Sequence, residues 1–169
     1  NINLKIKFRE SFRPFAPAVL NEHADDYFDL RGFSSPYMLL VAPVAEKQRL
    51  HLTPEQLAVQ GVDRRLIARS SIPAVTHVDN SARVQTIDKD VNPLFHQLVQ
   101  QYYQLSDSPL VVNTSFNIRG EPIVRTPQDA YRCFMGTDLD FLAIGNCILG
   151  KELQVPSNKL DYIYRFDED

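Results

Sequence analysis

Residues 109–124 read PLVVNTSFNIRGEPIV, a short apolar run followed at once by a polar loop. The run from Leu110 to Val112 is rich in valine and predicts a buried strand. The strand ends in a row of amides and hydroxyls at Asn113, Thr114, Ser115 and Asn117. These side chains either cap the strand as a turn or present hydrogen-bond donors to a ligand, since open α/β sheets bind ligands beyond the carboxyl ends of their strands. The pattern alone leaves both interpretations open.

Helices and strands alternate around this stretch. Proline directly behind a capping residue predicts helix starts at Thr53, Asn92 and Thr126. The helix after Asn92 carries a single apolar stripe of Leu94, Phe95, Leu98, Val99, Tyr102 and Leu105. Apolar runs predict further strands at 37–41, 74–78, 82–87 and 122–125, and a strand pair within 140–149. Residues 2–8 suit a strand or one face of a helix. The predicted class is therefore α/β (α+β), a sheet with helices packed on it.

Composition and charge limit the class of protein. The chain has 169 residues, 44% of them hydrophobic, which suits one globular domain. A net charge of −3 argues against a general nucleic-acid binder. Cys133 and Cys147 lack a metal-binding spacing and predict reduced thiols. No apolar run is long enough to span a bilayer and no signal peptide is evident, so we expect a cytoplasmic protein. A first residue other than methionine predicts a fragment or a processed product.

A basic cluster lies in KIKFRESFRPF, residues 5–15, where cations alternate with phenylalanines. In an extended chain Lys5, Lys7, Arg9 and Arg13 would share one side. Cations on an aromatic-backed element suit phosphate binding, because arginine offers a planar fork and lysine a compact charge. A solvated basic face on an edge strand is the alternative.

Two other polar stretches contain weaker candidates. His77 and Asp79 are too few to form a metal site, and Ser81 does not lie in a nucleophile elbow. Arg83 is predicted to project from a strand that begins beside this turn. Arg119 and Arg125 lie before a predicted helix start, but the chain has no glycine-rich phosphate loop, so any ATP would bind without a P-loop.

Six of these stretches together carry a resemblance to a known family. KFRESFRPFAPAVL, SPYM, IPAVTHVDNSARVQT, NPLFHQLV, LVVNTSFNIRGEPIV and TPQDAYRCF resemble the C-terminal domain of NodU/CmcH-type O-carbamoyltransferases. The resemblance covers about residues 4–148 in order. It implies a C-terminal carbamoyltransferase domain at 1–150, with a variable insertion at about 43–71 and an extension at 151–169.

The resemblance implies a YrdC-like fold, a twisted mixed sheet with packed helices. It also implies an enzyme that uses ATP, with magnesium, and carbamoyl phosphate to form carbamoyl-adenylate. A separate N-terminal actin/hexokinase-like domain, which contains iron, would then transfer the carbamoyl group to a hydroxyl of a natural product or oligosaccharide. We expect that domain, and an upstream RALG-type motif, to lie outside this chain, and the chain alone to be inactive or very weak. No metal site is expected within it.

Matched motif by motif, the resemblance implies catalytic roles for Lys7, Arg83 and Ser115. Binding of substrate or ATP is implied for Arg9, Arg13, Asn113, Thr114, Asn117 and Arg119. Ser115 would donate a hydrogen bond to phosphate or carbamate rather than act as a nucleophile, because phosphoryl and nucleotidyl transfer depend on positioning and charge stabilisation. His77 is expected in the core or behind the site. The alternative function is a non-catalytic nucleotide- or RNA-binding module related to tRNA threonylcarbamoylation proteins.

Overall fold

The computed structural model describes residues 2–155 and Tyr162. They belong to two compact units, which are described separately. Unit 1 combines Asn1–Arg13 with Ser115–Asp169, and unit 2 is Pro14–Thr114. The boundary therefore falls between Thr114 and Ser115, inside residues 113–117, which we call the NTSFN loop.

Unit 2 is built on a four-stranded mixed sheet. Its strands are β1 (Ala16–Leu20), β2 (Leu40–Pro43), β3 (Ser81–Ile87) and β4 (Leu110–Asn113), in the order β2-β3-β1-β4. β1 runs parallel to β3, with Val19 opposite Thr86, and antiparallel to β4, with Val19 opposite Leu110. β2 pairs antiparallel with β3 and closes the other edge.

Both faces of this sheet are covered by apolar side chains. One face buries Val19, Val84 and Phe28 together with α2 (Ala24–Tyr27). The other face packs Leu20 and Ile87 against Val99 of α4 (Pro93–Ser106). Three-residue 3-10 turns at Asn21–His23, Glu46–Gln48 and Pro73–Val75, a longer one at Gly61–Leu66, and α3 (Pro54–Ala58) complete unit 2.

The α4 helix begins where the sequence predicts, but its buried side differs from the predicted stripe. Asn92 caps it by accepting a hydrogen bond from the Phe95 N–H at 3.3 Å. Leu94, Leu98 and Leu105 are 78%, 65% and 88% exposed. The contact line instead follows Phe95, Val99 and Tyr103, which are spaced four residues apart and therefore lie above one another on the helix. The six-residue stripe was too wide a prediction of the packed face.

Unit 1 contains α1 (Ile2–Lys5), α5 (Pro127–Gly136) and the hairpin of β5 (Phe141–Ile144) and β6 (Cys147–Gly150), followed by a 3-10 turn at Lys151–Leu153. The ambiguous N-terminal segment is thus helical at its start. α5 starts at a complete capping box, in which the Thr126 and Asp129 side chains each bond the other residue's backbone N–H. Its buried face carries Ala130, Cys133 and Phe134.

The α+β class is confirmed, whereas three strand predictions need correction. The strand predicted at 37–41 is β2, shifted to Leu40–Pro43. Residues 74–78 form no strand, because the Val75 and Thr76 N–H groups bond carbonyls three residues earlier and close a 3-10 turn. Residues 122–125 form none either, and the Val124 N–H bonds the Phe116 carbonyl. Within the described residues no helix is long and apolar enough to cross a membrane.

Candidate functional site

The ammonium of Lys7 lies in a cradle of oxygen atoms from the NTSFN loop. It donates to the Ser115 carbonyl at 2.7 Å, to the Asn117 carbonyl at 2.6 Å and to the Asn117 Oδ1 at 2.8 Å. The Ser115 hydroxyl oxygen lies 3.4 Å away. Lys7 is only 5% exposed, so this is a buried cation held by uncharged oxygens. Three catalytic or binding residues predicted from sequence, Lys7, Ser115 and Asn117, are thereby brought into contact.

The turn after α1 directs Lys7 toward this loop. The Ile6 and Lys7 N–H groups both bond the Ile2 carbonyl, and the next residue, Phe8, adopts a left-handed φ of 48°. Such a conformation is unfavourable for a bulky residue and persists only where packing holds it. Phe8 packs against a buried cluster of Ile118, Cys133 and Tyr162. The strained residue therefore lies directly beside the candidate site, where such strain is often found.

The loop that surrounds Lys7 is tied together by its own side chains. The Ser115 hydroxyl donates to the Asn117 Oδ1 at 2.6 Å, and the Asn117 amide donates to the Glu121 carbonyl at 2.7 Å. The Glu121 carboxylate accepts from the Ile118 N–H at 3.0 Å. Gly120, with φ of 74°, supplies the positive angle that this turn requires. The single hydrogen of the exposed Ser115 hydroxyl is thus donated within the loop, to Asn117.

Burial changes the acid–base behaviour of the lysine. Burial lowers the pKa of the Lys7 ammonium and the charge of Arg9 lowers it further, while Cys133 and Glu121 act in the opposite direction. An ammonium has three hydrogens to donate. Because the loop oxygens already receive them, Lys7 both fixes the loop and provides positive charge beneath it.

Arg9 and the backbone of Arg13, two further residues of the basic cluster, are bonded to the buried Asn3. Asn3 donates to the Ser11 carbonyl at 3.2 Å and to the Arg13 carbonyl at 2.7 Å, and it accepts from the Arg9 Nε at 2.7 Å. Burial and then the charge of Arg13 lower the pKa of Arg9. The Arg13 guanidinium lies 3.7 Å from the Glu10 carboxylate on the surface.

Arg119 joins this part of unit 1 through its backbone. Its N–H donates to the Lys7 carbonyl at 3.2 Å. The carboxyl of Glu10 has its pKa lowered, chiefly by its own backbone N–H and further by Arg119 and Arg13. Of the three arginines predicted to bind substrate or ATP, Arg119 is therefore bonded to Lys7, and Arg9 and Arg13 are bonded to Asn3.

The remaining predicted residues belong to the sheet of unit 2. Arg83 is exposed on β3, opposite Val41, and Gln85 follows it on the same face because strand side chains alternate. The Gln85 Oε1 accepts a hydrogen bond from the Asn113 side-chain amide, across β1. The sheet face that packs against α4 thus also carries Arg83 and Asn113, beyond its apolar part. The exposed Thr114 is the last residue of unit 2.

The direction of β4 corrects one premise of the sequence analysis. Because β4 is an antiparallel edge strand, its carboxyl end at Asn113 lies beside Ala16, the first residue of β1. Asn113 therefore lies at the amino ends of the parallel pair β1 and β3, not at their carboxyl ends. The rule for parallel sheets does not locate this loop.

The weaker candidates His77, Asp79 and Ser81 form a turn. The Ser81 hydroxyl and N–H both donate to the Asp79 carboxylate, at 2.7 and 3.0 Å. The His77 N–H donates to the Ser81 carbonyl, and this bond closes the turn before β3. Over residues 2–155 and Tyr162, no group of three or more His, Cys, Asp and Glu side chains is arranged to hold a metal ion.

Three residues of these networks were missed by sequence reasoning. Gln85 was detectable, because it lies two positions after Arg83 on a predicted strand. Asn3 could not be predicted, because it lies in a segment that suited either a strand or a helix. Tyr162 lies in the polar extension, where only the fold brings it to the core.

Comparison with known proteins identifies the family. The model for the family described as Carbamoyltransferase C-terminus matches residues 1–151. The chain belongs to this family. The resemblance drawn from the motifs is therefore confirmed over nearly all the described residues.

Curated relatives of this carbamoyltransferase C-terminal chain include nodulation proteins. An uncharacterized protein of Synechocystis sp. is 58% identical, over 90% of this chain and 25% of its own length. Nodulation protein NolNO of Sinorhizobium fredii is 35% identical, over 93% of this chain and 20% of its own length. Nodulation protein U of Rhizobium tropici is 35% identical, over 78% of this chain and 19% of its own length. The chain thus spans about a quarter or less of these relatives.

Proposed function

We propose that this chain is the domain of an O-carbamoyltransferase that forms the activated donor, carbamoyl-adenylate, from ATP and carbamoyl phosphate. The observation that carries the proposal is the family match over residues 1–151. A partner domain, which we propose to be N-terminal and iron-containing, would transfer the carbamoyl group to a hydroxyl of a natural product or oligosaccharide. The nodulation proteins among the relatives are compatible with such an acceptor.

The chemistry requires binding and alignment of anions more than a protein nucleophile. Carbamoyl phosphate loses its phosphate to water, and an oxygen of the resulting carbamate bonds to the α-phosphorus of ATP while pyrophosphate leaves. Fixed hydrogen-bond donors and cations accelerate such steps by positioning the reactants and stabilising charge. We assign Ser115, with Asn117 and the charge of Lys7, to the anionic oxygens of carbamoyl phosphate. The assigned role of Ser115 is supported by its exposed hydroxyl, whose single hydrogen would turn from the Asn117 Oδ1 to the bound anion.

The arginines have the chemistry that phosphate requires. Arg9, Arg13 and Arg119 lie on segments bonded to Lys7 or Asn3, and a guanidinium binds phosphate through two parallel hydrogen bonds. We assign them, with Thr114 and Asn113, to ATP or the leaving phosphate, and Arg83 to the reacting groups. Magnesium would arrive with the nucleotide, since it is usually held by substrate phosphates and only one or two carboxylates.

The test is product formation by the full-length protein. Incubation with ATP and carbamoyl phosphate should give carbamoyl-adenylate and pyrophosphate, detected by mass spectrometry and a coupled assay. Ser115→Ala and Arg83→Ala should each reduce the rate at least tenfold, whereas Lys89→Ala, on an exposed turn, should leave it unchanged. Full activity in both site variants would refute the site assignment. Absence of the adenylate in the wild-type reaction would refute the proposed reaction.

A second measurement concerns the 169-residue chain alone. We propose that it has at most very weak activity, because the partner domain and an upstream arginine motif complete the site. Turnover by the chain equal to that of the full-length protein would show that it is self-sufficient.

A further inference from the structure

Tyr162 reaches back from the C-terminal extension to the loop that surrounds Lys7. Its hydroxyl donates to the Glu121 Oε1 at 2.5 Å. The other oxygen of the same carboxylate accepts from the Ile118 N–H at 3.0 Å. Glu121 is therefore held between the extension and the loop, although it is outside the set of residues predicted to bind substrate.

A continuous series of hydrogen bonds connects Tyr162 with the candidate site. Glu121 receives the Tyr162 hydroxyl on its side chain and the Asn117 amide, at 2.7 Å, on its carbonyl. Asn117 in turn accepts from Lys7 and from the Ser115 hydroxyl. All five residues belong to unit 1, so the series is internal to one compact body. A displacement of the Glu121 side chain would shift the turn that orients Asn117.

Packing around Tyr162 is specific to an aromatic ring. Tyr162 is 8% exposed and packs with Ile118 and Cys133. Gly136, at the end of α5, leaves the space that the ring occupies, since a Cβ there would overlap the Tyr162 ring. Burial, followed by the bond to Glu121, raises the pKa of the Tyr162 hydroxyl, which keeps it protonated as a donor. Tyr162 is thus held within unit 1 by shape and by a charge-assisted hydrogen bond.

We propose that Tyr162 is a positioning residue for carbamoyl phosphate, which acts through Glu121 to hold Asn117, Ser115 and Lys7 in their binding arrangement. The inference rests on the proposed function and adds to it a role for the C-terminal extension. In this proposal Tyr162 does not contact the substrate. Its effect is on the loop geometry, and the effect disappears when Glu121 can no longer transmit it.

The experiment uses the full-length protein and the steady-state kinetics of carbamoyl phosphate. Tyr162→Phe keeps the ring against Gly136 and removes only the hydroxyl. We expect KM for carbamoyl phosphate to rise about fivefold, the size of effect typical for one lost hydrogen bond, with kcat within a factor of two. Tyr131→Phe is the matched control, because its hydroxyl bonds Gln154 on the surface of unit 1. It should leave both constants unchanged.

A double-mutant cycle with Glu121→Met, which keeps the length of the side chain and removes its acceptor oxygens, separates positioning from general stability. If Tyr162 acts through Glu121, adding Tyr162→Phe to Glu121→Met raises KM no further, even if the melting temperature falls. Independent, multiplicative effects of the two substitutions would overturn the inference. So would an unchanged KM in Tyr162→Phe while Ser115→Ala is impaired, and the proposed function would then stand. An unchanged KM in Ser115→Ala would overturn the inference and the assignment of Ser115, whereas absence of the adenylate in the wild-type reaction would overturn the proposed function.

Discussion

The ammonium nitrogen of Lys7 lies 2.6 Å from the carbonyl oxygen of Asn117, a residue 110 positions further along the chain. This contact joins the N-terminal turn to the NTSFN loop inside unit 1. It is a charge-assisted hydrogen bond in a buried place, and such bonds are stronger than neutral ones. The stability of the loop should therefore depend on a side chain that is distant in sequence.

Replacement of Lys7 tests whether the stability of the loop depends on its side chain. Lys7→Met keeps the length of the stem but leaves loop carbonyls without their donor. Unsatisfied buried acceptors cost about 1–3 kcal/mol each, and we expect the free energy of unfolding to fall by about 2–3 kcal/mol in urea denaturation. Lys89→Met, on an exposed turn, should change it by less than about 0.5 kcal/mol. Equal values for the two variants would contradict the structural role of Lys7.

The two capping boxes offer a matched pair of threonines. Thr126 caps α5, which buries Ala130, Cys133 and Phe134, whereas Thr53 caps α3, which buries no residue. Loss of an N-cap costs about 1 kcal/mol where the helix is part of the cooperative core. Urea denaturation should show that loss for Thr126→Ala and a clearly smaller one for Thr53→Ala. A larger effect at Thr53 would mean that the packing of α5 does not couple its cap to global stability.

These caps also show which features the sequence could predict. Thr53, Asn92 and Thr126 each precede a proline, and a cap is decided within four residues, so all three helix starts were predicted correctly. The strand predicted at 74–78 was wrong because a strand needs a partner, and these residues close a turn with their own neighbours.

For the site, too, local features could be predicted and contacts between distant residues could not. The residue types of the Lys7 and NTSFN motifs were identified from resemblance, and the structure adds the contact between them. The Lys7 to Asn117 bond, the Gln85 bridge to Asn113 and the return of Tyr162 to Glu121 all depend on tertiary structure. No local pattern specifies such long-range contacts.

The buried thiol of Cys133 predicts a pH dependence of stability. Burial raises its pKa above the ordinary 9.0, with Glu121 adding to this and Tyr162 and Lys7 opposing it. Above about pH 9 the unfolded chain therefore loses a thiol proton that the folded chain keeps, and so stability falls as pH rises. The slope contributed by this group is at most about 1.4 kcal/mol per pH unit.

Urea denaturation between pH 8 and 10 would measure this slope. Cys133→Ala should reduce the loss of stability with rising pH. Cys147→Ala, at an exposed free thiol, should behave as wild type. A steeper loss in Cys133→Ala than in wild type would show that burial of the thiol does not have the expected sign.

Substitution of Gly136 tests the packing of the Tyr162 ring without changing its hydroxyl. Alanine normally favours a helix over glycine by about 1 kcal/mol, but at Gly136 its Cβ would overlap the Tyr162 ring. We expect Gly136→Ala to raise KM for carbamoyl phosphate, because the Tyr162 ring must shift. Gly150→Ala, where the nearest atom would be 3.5 Å away, is the tolerated control. An unchanged KM in Gly136→Ala would argue against this packing of Tyr162.

We propose that the loop held by Lys7 binds carbamoyl phosphate, and calorimetric titration of the full-length protein with this substrate measures that binding. Ser115→Ala removes one exposed hydroxyl, which would turn from Asn117 to the bound anion, and should weaken binding about tenfold, as expected for a hydrogen bond to a charged group. Ser34→Ala, at another exposed serine, should bind as wild type. Identical dissociation constants for Ser115→Ala and wild type would contradict the claim.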